Sequence, residues 1–127
     1  MTAARRCPCG AGLAYAECCE PVHDGARLAP TAEALMRSRY SAFALRRVDW
    51  LLASWDASTR PASIEPGDER WIGLEIEATE AGGPFDRAGT VTFRASYAED
   101  GERFGLRERS RFARTDAWRY LDGVQLG

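Results

Sequence analysis

The segment "TVTFRASYAEDGERFGLRERSRFA", residues 90–113, decides the fold class of this 127-residue chain. Apolar and polar residues alternate on both sides of an Asp-Gly turn, which is the pattern of a β-hairpin with one buried face. The inward positions of its first strand are Val91, Phe93, Ala95 and Tyr97. The segment therefore predicts two antiparallel strands.

Further strands and two helices flank this hairpin. The stretch "WIGLEIEA", residues 71–78, alternates with Ile72, Leu74 and Ile76 facing inward, and "WRYLDG", residues 118–123, predicts a last strand. Upstream, Thr31 is expected to cap an amphipathic helix that breaks near residues 48–49, and a second short helix contains residues 50–55. Residues 58–69 read as a loop. Helices followed by an antiparallel meander predict an α+β domain with helices packed on one sheet face.

A carboxylate interrupts the inward row of the third strand. The row reads Phe104, Leu106, Glu108, Ser110 and Phe112. A buried carboxylate must be paired, protonated or in contact with a wet pocket. We predict that Arg39, on the edge of the helix stripe, approaches it. Further polar groups expected nearby are Tyr40, Tyr97, Ser110 and Tyr120. Two interpretations remain open: an ion pair that fixes helix against sheet, or a polar site in a cavity that binds a small anion or polar ligand.

The outward row of the same strand is basic. Arg107, Arg109 and Arg111 face the same side as Glu75 and Glu77 of the first strand, so cross-strand salt bridges are expected. Aromatic residues do not interleave with these arginines, which disfavours nucleic-acid binding.

The composition excludes several classes of enzyme. All 17 basic residues are arginine, and the chain has one histidine. The absence of lysine excludes a phosphate-binding loop of the G-x-x-x-x-G-K-[ST] type and a lysine Schiff base. A Ser-His-Asp triad is disfavoured because the histidine lies next to the cysteines.

All four cysteines lie in "CPCGAGLAYAECC", residues 7–19. The sequence contains neither a signal peptide nor a membrane-spanning stretch, so we expect a cytoplasmic protein with reduced thiols, and clustered thiols there favour a metal. The predicted ligands Cys7, Cys9, Cys18 and Cys19 suit a closed, structural Zn²⁺ site. An iron–sulfur cluster, a vicinal disulfide, or His23 in place of one cysteine remain alternatives. Residues 20–30 are expected to form a linker.

This segment resembles the SEC-C motif, found at the tail of the preprotein translocase ATPase and in other bacterial proteins. The match is the C-P-C-G turn, Gly12, Tyr15 and the final cysteine pair. The resemblance implies zinc binding by the four cysteines. It does not imply the export-chaperone contact, because the lysines usual between the cysteine pairs are replaced here by Leu13, Ala14, Ala16 and Glu17.

The remainder resembles the bacterial YchJ-like family through "EALMRSRYSAF", "WIGLEI", "GTVTFRASY", "RERSRF" and "WRYLDG". This resemblance implies a cone-shaped domain of the nuclear transport factor 2-like (NTF2-like) fold, whose curved sheet wraps a pocket. Many members carry histidine where this chain has Arg107. The expected organisation is a SEC-C-like zinc segment with its linker in residues 1–25 and the NTF2-like domain in residues 26–127.

Two functions follow as hypotheses. In the first, the zinc segment is a tethered adaptor that docks on a protein of the export, chaperone or translation machinery. In the second, the domain binds a small molecule, or acts as a lyase or isomerase, with Glu108 as acid/base and Arg39 holding an anionic group. The sequence assigns no reaction.

Overall fold

The computed structural model describes residues 5–127, so the first four residues of the predicted zinc segment lie outside it. The sheet is antiparallel, with strand order β1-β2-β3-β4. The helices are α1 (Glu20–His23), α2 (Ala32–Leu45) and α3 (Val48–Ala53), and the strands are β1 (Arg70–Ala81), β2 (Ala88–Glu99), β3 (Glu102–Arg114) and β4 (Trp118–Gln125). The predicted α+β class is confirmed.

Helix α2 begins and ends at residues that suit helix termini. The Ala34 backbone N–H donates to Thr31 Oγ1 at 3.0 Å, which is the predicted N-cap. The helix ends where Arg46 adopts a left-handed conformation, with φ of 60°. The chain then turns directly into α3, so the break lies at Arg46, two residues before the predicted position.

The core lies between α2 and the face of the sheet that packs against it. Its fully buried side chains come from both layers: Ala32, Leu35, Met36, Tyr40, Val91, Phe93, Ala95, Phe112 and Trp118. The three inward β2 positions before Tyr97 are among them, because alternation along an antiparallel strand places every second side chain on the helix side.

The predicted inward position of Ile72 is wrong. A register shift between Trp71 and Gly73 interrupts the pairing of β1 with β2, and Ile72 is 41% exposed. Such a bulge adds one residue and reverses which side chains face the core. Trp71 packs on the core instead, together with Leu74 and Ile76. Phe104 was also predicted to be inward; it is 41% exposed near the start of β3 and stacks on Tyr97.

Charged residues pair on the outer face of the sheet as predicted. Arg107 Nε lies 2.6 Å from a carboxylate oxygen of Glu77, and Arg94 Nε lies 3.7 Å from the other. Arg111 and Asp122 form a two-point pair between β3 and β4. The arginines of this face are therefore largely engaged with neighbouring carboxylates.

The predicted linker, residues 20–30, is not a flexible tether at its start. Residues Glu20–His23 form α1, and Val22 and His23 are buried. Arg27 also donates to the carbonyls of Glu17 and Cys18. The cysteine-rich segment is thus joined to the domain by a packed helical turn.

None of the helices in residues 5–127 is long and apolar enough to cross a bilayer.

Candidate metal centre and ligand cavity

The four cysteines converge on one point. Their sulfur atoms all lie within 4.8 Å of one another, and the Sγ atoms of Cys9 and Cys18 are 3.6 Å apart. A tetrahedral thiolate site with metal–sulfur bonds of about 2.3 Å requires sulfurs about 3.8 Å apart. The four residues therefore fit a tetrahedral metal ion and would leave it no open coordination position.

The thiols influence one another strongly. The pKa of Cys9 is lowered to about 2, first because Cys19 and then because Cys7 hydrogen-bonds to its thiolate. The pKa of Cys18 is raised to about 12, first by burial and then by its hydrogen bond to Cys9. Four thiolates so close together need a bound cation, which would replace the protons.

His23 is not positioned as a metal ligand, because both its ring nitrogens are bonded elsewhere. Nε2 lies 2.8 Å from the Ser38 carbonyl oxygen, which can only accept, so Nε2 carries the proton. Nδ1 therefore accepts from the Tyr15 hydroxyl at 2.7 Å. Burial lowers the pKa of His23 and favours this neutral form.

The cysteine-rich segment, residues 7–19, is called the metal segment below, and it packs directly on α2. Arg37 Nη1 donates to the Cys9 carbonyl oxygen at 2.8 Å, and Cys19 Sγ lies 3.8 Å from the Arg37 carbonyl oxygen. Leu45, at the end of α2, packs against the cysteine cluster. On the surface of α2, Arg37 also pairs with Glu33 at 3.1 Å. The segment is therefore attached along the side of α2 that faces away from the sheet.

A cavity of about 240 Å³ lies on the other side of α2, between this helix and the four strands of the sheet. Its walls are mainly aromatic and aliphatic, and its polar side chains are few. The lining residues are Met36, Arg39, Tyr40, Phe43, Trp55, Trp71, Phe93, Ala95, Leu106, Glu108, Ser110 and Tyr120. An apolar cavity with a small number of convergent polar groups is the usual form of a ligand site.

Arg39 is 3% exposed and lines the same cavity as Glu108 but makes no ion pair with it, so the first of the two interpretations is not supported. Its Nη1 donates instead to the Leu51 carbonyl oxygen at 2.9 Å and to Ser54 Oγ at 2.7 Å. The guanidinium carbon lies 4.4 Å from the ring centre of Tyr120 and 5.1 Å from that of Trp55. Burial lowers the pKa of Arg39 to about 10, so the group stays charged at neutral pH.

Glu108 lines the same cavity. Its Oε2 accepts a hydrogen bond of 2.6 Å from Ser110 Oγ. Gly123 on β4 provides the space for this carboxylate, because a Cβ at Gly123 would lie 2.5 Å from Glu108 Oε2. The Glu108 carboxylate is thus fixed by a hydrogen bond from Ser110, a residue of the same strand.

The predicted tyrosines have different positions. Tyr40 and Tyr120 line the cavity, and the pKa of Tyr120 is raised to about 12 by burial and then by Glu108, so its hydroxyl is protonated at neutral pH. Tyr97 is not among the lining residues; it packs against Trp71, with ring centres 5.1 Å apart.

Sequence reasoning missed the end of α3. The Asp56 N–H donates to the Tyr120 carbonyl, and the Tyr120 N–H donates to the Ser54 carbonyl, so this segment pairs with β4 in parallel at one position and contributes to the cavity wall. It contributes Ser54 and Trp55 to the surroundings of Arg39. A tryptophan directly after a short helix was the available signal.

Comparisons with known proteins agree with both parts of this architecture. The family model described as YchJ, middle NTF2-like domain, matches residues 31–123, and the SEC-C motif matches residues 6–21. A UPF0225 protein of Streptomyces coelicolor is 52% identical over 120 residues, which cover 92% of this chain and 93% of that protein.

Two solved structures are similar in fold. The solution structure of a SEC-C motif containing protein from Rhodopseudomonas palustris has a TM-score of 0.83 and 29% identity, covering 95% of this chain and 98% of that one. The crystal structure of a SEC-C motif containing protein from Psychrobacter arcticus has a TM-score of 0.77 and 26% identity, covering 95% and 82%. The chain therefore belongs to the UPF0225 family of bacterial proteins, and it joins a SEC-C motif to a YchJ-type NTF2-like domain.

Proposed function

We propose that this protein binds a small organic molecule in the cavity of its NTF2-like domain. The observation that carries the proposal is the lining itself: five polar side chains, Arg39, Tyr40, Glu108, Ser110 and Tyr120, meet aromatic walls around about 240 Å³. By comparison, an apolar protein cavity of about 150 Å³ holds benzene. The available volume suits a ligand of one aromatic ring with a short side chain.

Capture of metabolites tests this proposal. The purified protein is incubated with a small-molecule extract of its host, freed of unbound material, denatured and analysed by mass spectrometry. Ala95→Trp is the matched control, because Ala95 is buried in the cavity wall and a large side chain there fills the space. We expect a compound that the wild type retains and Ala95→Trp loses. Equal retention by folded forms of both would contradict binding in the cavity.

Catalysis by Glu108 is an extension of this proposal. Within the described residues 5–127, Glu108 is the one carboxylate that lines the cavity. A lyase or isomerase needs a single positioned acid/base group. Glu108→Gln should then still bind the captured compound but no longer convert it. Conversion is measured by chromatography of the compound after incubation with each protein. Conversion at the wild-type rate by Glu108→Gln would exclude the carboxylate from the reaction.

We further propose that the four cysteines bind Zn²⁺ and that the ion is structural. Four thiolates in a closed tetrahedral arrangement are the preferred zinc environment, and such a site stabilises its segment without an open position for chemistry. This assignment fits reduced thiols in a cytoplasmic protein. Elemental analysis should find about one zinc per chain in the wild type and much less in Cys18→Ser/Cys19→Ser. Iron with visible absorbance would instead indicate a cluster.

A second candidate function is docking of a protein partner on the metal segment. The observation that favours it is the exposed loop of residues 10–13, which ends in Leu13, an apolar side chain that is 50% exposed. Affinity capture from host lysate tests it with Leu13→Ser as bait beside the wild type. We expect a component of the export, chaperone or translation machinery on the wild type alone. Identical sets of proteins on both baits would reject docking through this loop.

A further inference from the structure

Arg39 has hydrogen-bond donors that the protein does not use. Its two protein acceptors, the Leu51 carbonyl and Ser54 Oγ, both bind Nη1. Within residues 5–127, Nε and Nη2 have no protein acceptor, and Trp118 Nε1 is the one side-chain polar atom sealed from solvent without a partner. The unused donors of Arg39 are therefore accessible from the cavity that Arg39 lines.

The positive charge of Arg39 is also uncompensated by direct contact. Both acceptors are neutral, and the rings of Tyr120 and Trp55 supply only a cation–π environment. The carboxylate in the same cavity, Glu108, accepts from Ser110 and makes no ion pair with Arg39 in the described part of the chain. A buried, charged group normally has an ionic partner or a hydrogen bond for each donor. Arg39 has neither.

We infer that the ligand of this cavity is an aromatic monocarboxylate, whose carboxylate accepts hydrogen bonds from Nε and Nη2 of Arg39 while its ring occupies the apolar part of the cavity. This inference rests on the proposed function. A guanidinium presents two parallel N–H groups to a planar carboxylate, which gives a short, charge-assisted pair. The remaining walls, formed by Tyr40, Phe43, Trp71 and Leu106, suit an aromatic ring.

A second negative charge on the ligand would be unfavourable. The cavity has one cation, Arg39, and its lining also contains the carboxylate of Glu108. A phosphate or dicarboxylate would place its extra charge near Glu108 in a cavity with mainly apolar walls, where like charges repel strongly. The cavity therefore selects a single negative charge.

A pair of probes of equal shape tests the charge. 3-Phenylpropanoate and its neutral analogue 3-phenylpropanamide are titrated into the full-length, metal-loaded protein and followed by calorimetry. We expect the wild type to bind the carboxylate about tenfold or more tightly than the amide, because a charge-assisted pair is stronger than a neutral one. In Arg39→Met this preference should disappear while amide binding persists.

A second variant and a doubly charged probe test the ligand class further. Arg39→Lys retains the charge without the planar pair, so it should show an intermediate preference and serves if Arg39→Met does not fold. Phenylphosphonate, largely dianionic at about pH 8.5, should bind the wild type more weakly than the carboxylate and gain affinity in Glu108→Gln. Equal binding of amide and carboxylate by the wild type would overturn the inference and leave the proposed cavity function standing. Binding of neither probe would overturn this ligand class, while metabolite capture would still decide whether the cavity binds any small molecule.

Discussion

Replacing His23 by leucine should weaken the whole domain and not only the cysteine-rich segment. His23 joins Tyr15 of that segment to the Ser38 carbonyl of α2 through its two ring nitrogens. Leucine fills part of the volume but forms neither bond. A buried polar group deprived of its partner costs about 1–3 kcal/mol. The Tyr15 hydroxyl loses its acceptor in this way, whereas the Ser38 carbonyl oxygen still accepts from Ser41 Oγ at 3.1 Å. We therefore expect the free energy of unfolding to fall by about 1–3 kcal/mol.

The assay is urea unfolding followed by far-ultraviolet circular dichroism, which reports the sheet. Because Trp50 lies 6.2 Å from His23, ring centre to ring centre, tryptophan fluorescence alone would mix local and global changes. Leu13→Ala, an exposed position in the same segment, is the matched control and should leave the unfolding midpoint unchanged. Zinc content is measured in each variant so that loss of metal is not mistaken for loss of the hydrogen bonds.

The refuting result is a variant whose sheet unfolds at the wild-type urea concentration. That outcome would mean that the segment and the domain unfold independently, as a tethered module would. It would contradict the packing of α1 and the cysteines on α2 as a source of stability.

Other substitutions and conditions probe the same architecture. Burial lowers the pKa of His23 below its ordinary 6.5. Urea titrations should therefore show the full stability difference between wild type and His23→Leu above about pH 6.5, and a smaller difference as the pH falls below that value. A difference that does not change with pH would contradict a neutral buried ring. Removing the metal with a chelator should lower the urea midpoint of the sheet, and adding Zn²⁺ should restore it. Glu77→Gln, on the outer sheet face, should change the free energy of unfolding by less than about 1 kcal/mol, and a larger loss would show that its pairs matter more than exposed pairs usually do. Gly123→Ala should lower the free energy of unfolding by about 1 kcal/mol, because the added methyl group contacts the Glu108 carboxylate, and by clearly less in a Glu108→Ala background. An equal loss in both backgrounds would exclude that contact.

The strands were predictable because alternation is a local property of the sequence. The hairpin of β2 and β3 and the strand after it follow directly from polar and apolar residues at every second position. The orientation of Ile72 was not predictable in this way, because the bulge beside Trp71 depends on how β1 pairs with β2. An assignment of faces by parity fails at the first extra residue in a strand.

The cysteine cluster was also predictable from local sequence, since all four thiols lie within thirteen consecutive residues. The cavity depends on tertiary structure. Alternation on β3 and periodicity on α2 brought Glu108 and Arg39 to one cavity, but the acceptors of Arg39 come from Leu51 and Ser54. Those residues reach Arg39 only because the end of α3 pairs with Tyr120 on β4. The pattern of α3 alone does not indicate this pairing.

The two candidate sites meet through α2, which is buried on opposite sides. Arg37 binds the Cys9 carbonyl, and Ser38 binds His23 on the side of the metal segment. Arg39 follows immediately and lies in the wall of the cavity. Successive residues of a helix are fixed about 100° apart, so a rotation of α2 at the metal segment must also move the Arg39 guanidinium. The metal segment therefore fixes the orientation of the residue that supplies the positive charge of the cavity, although no cysteine lines that cavity.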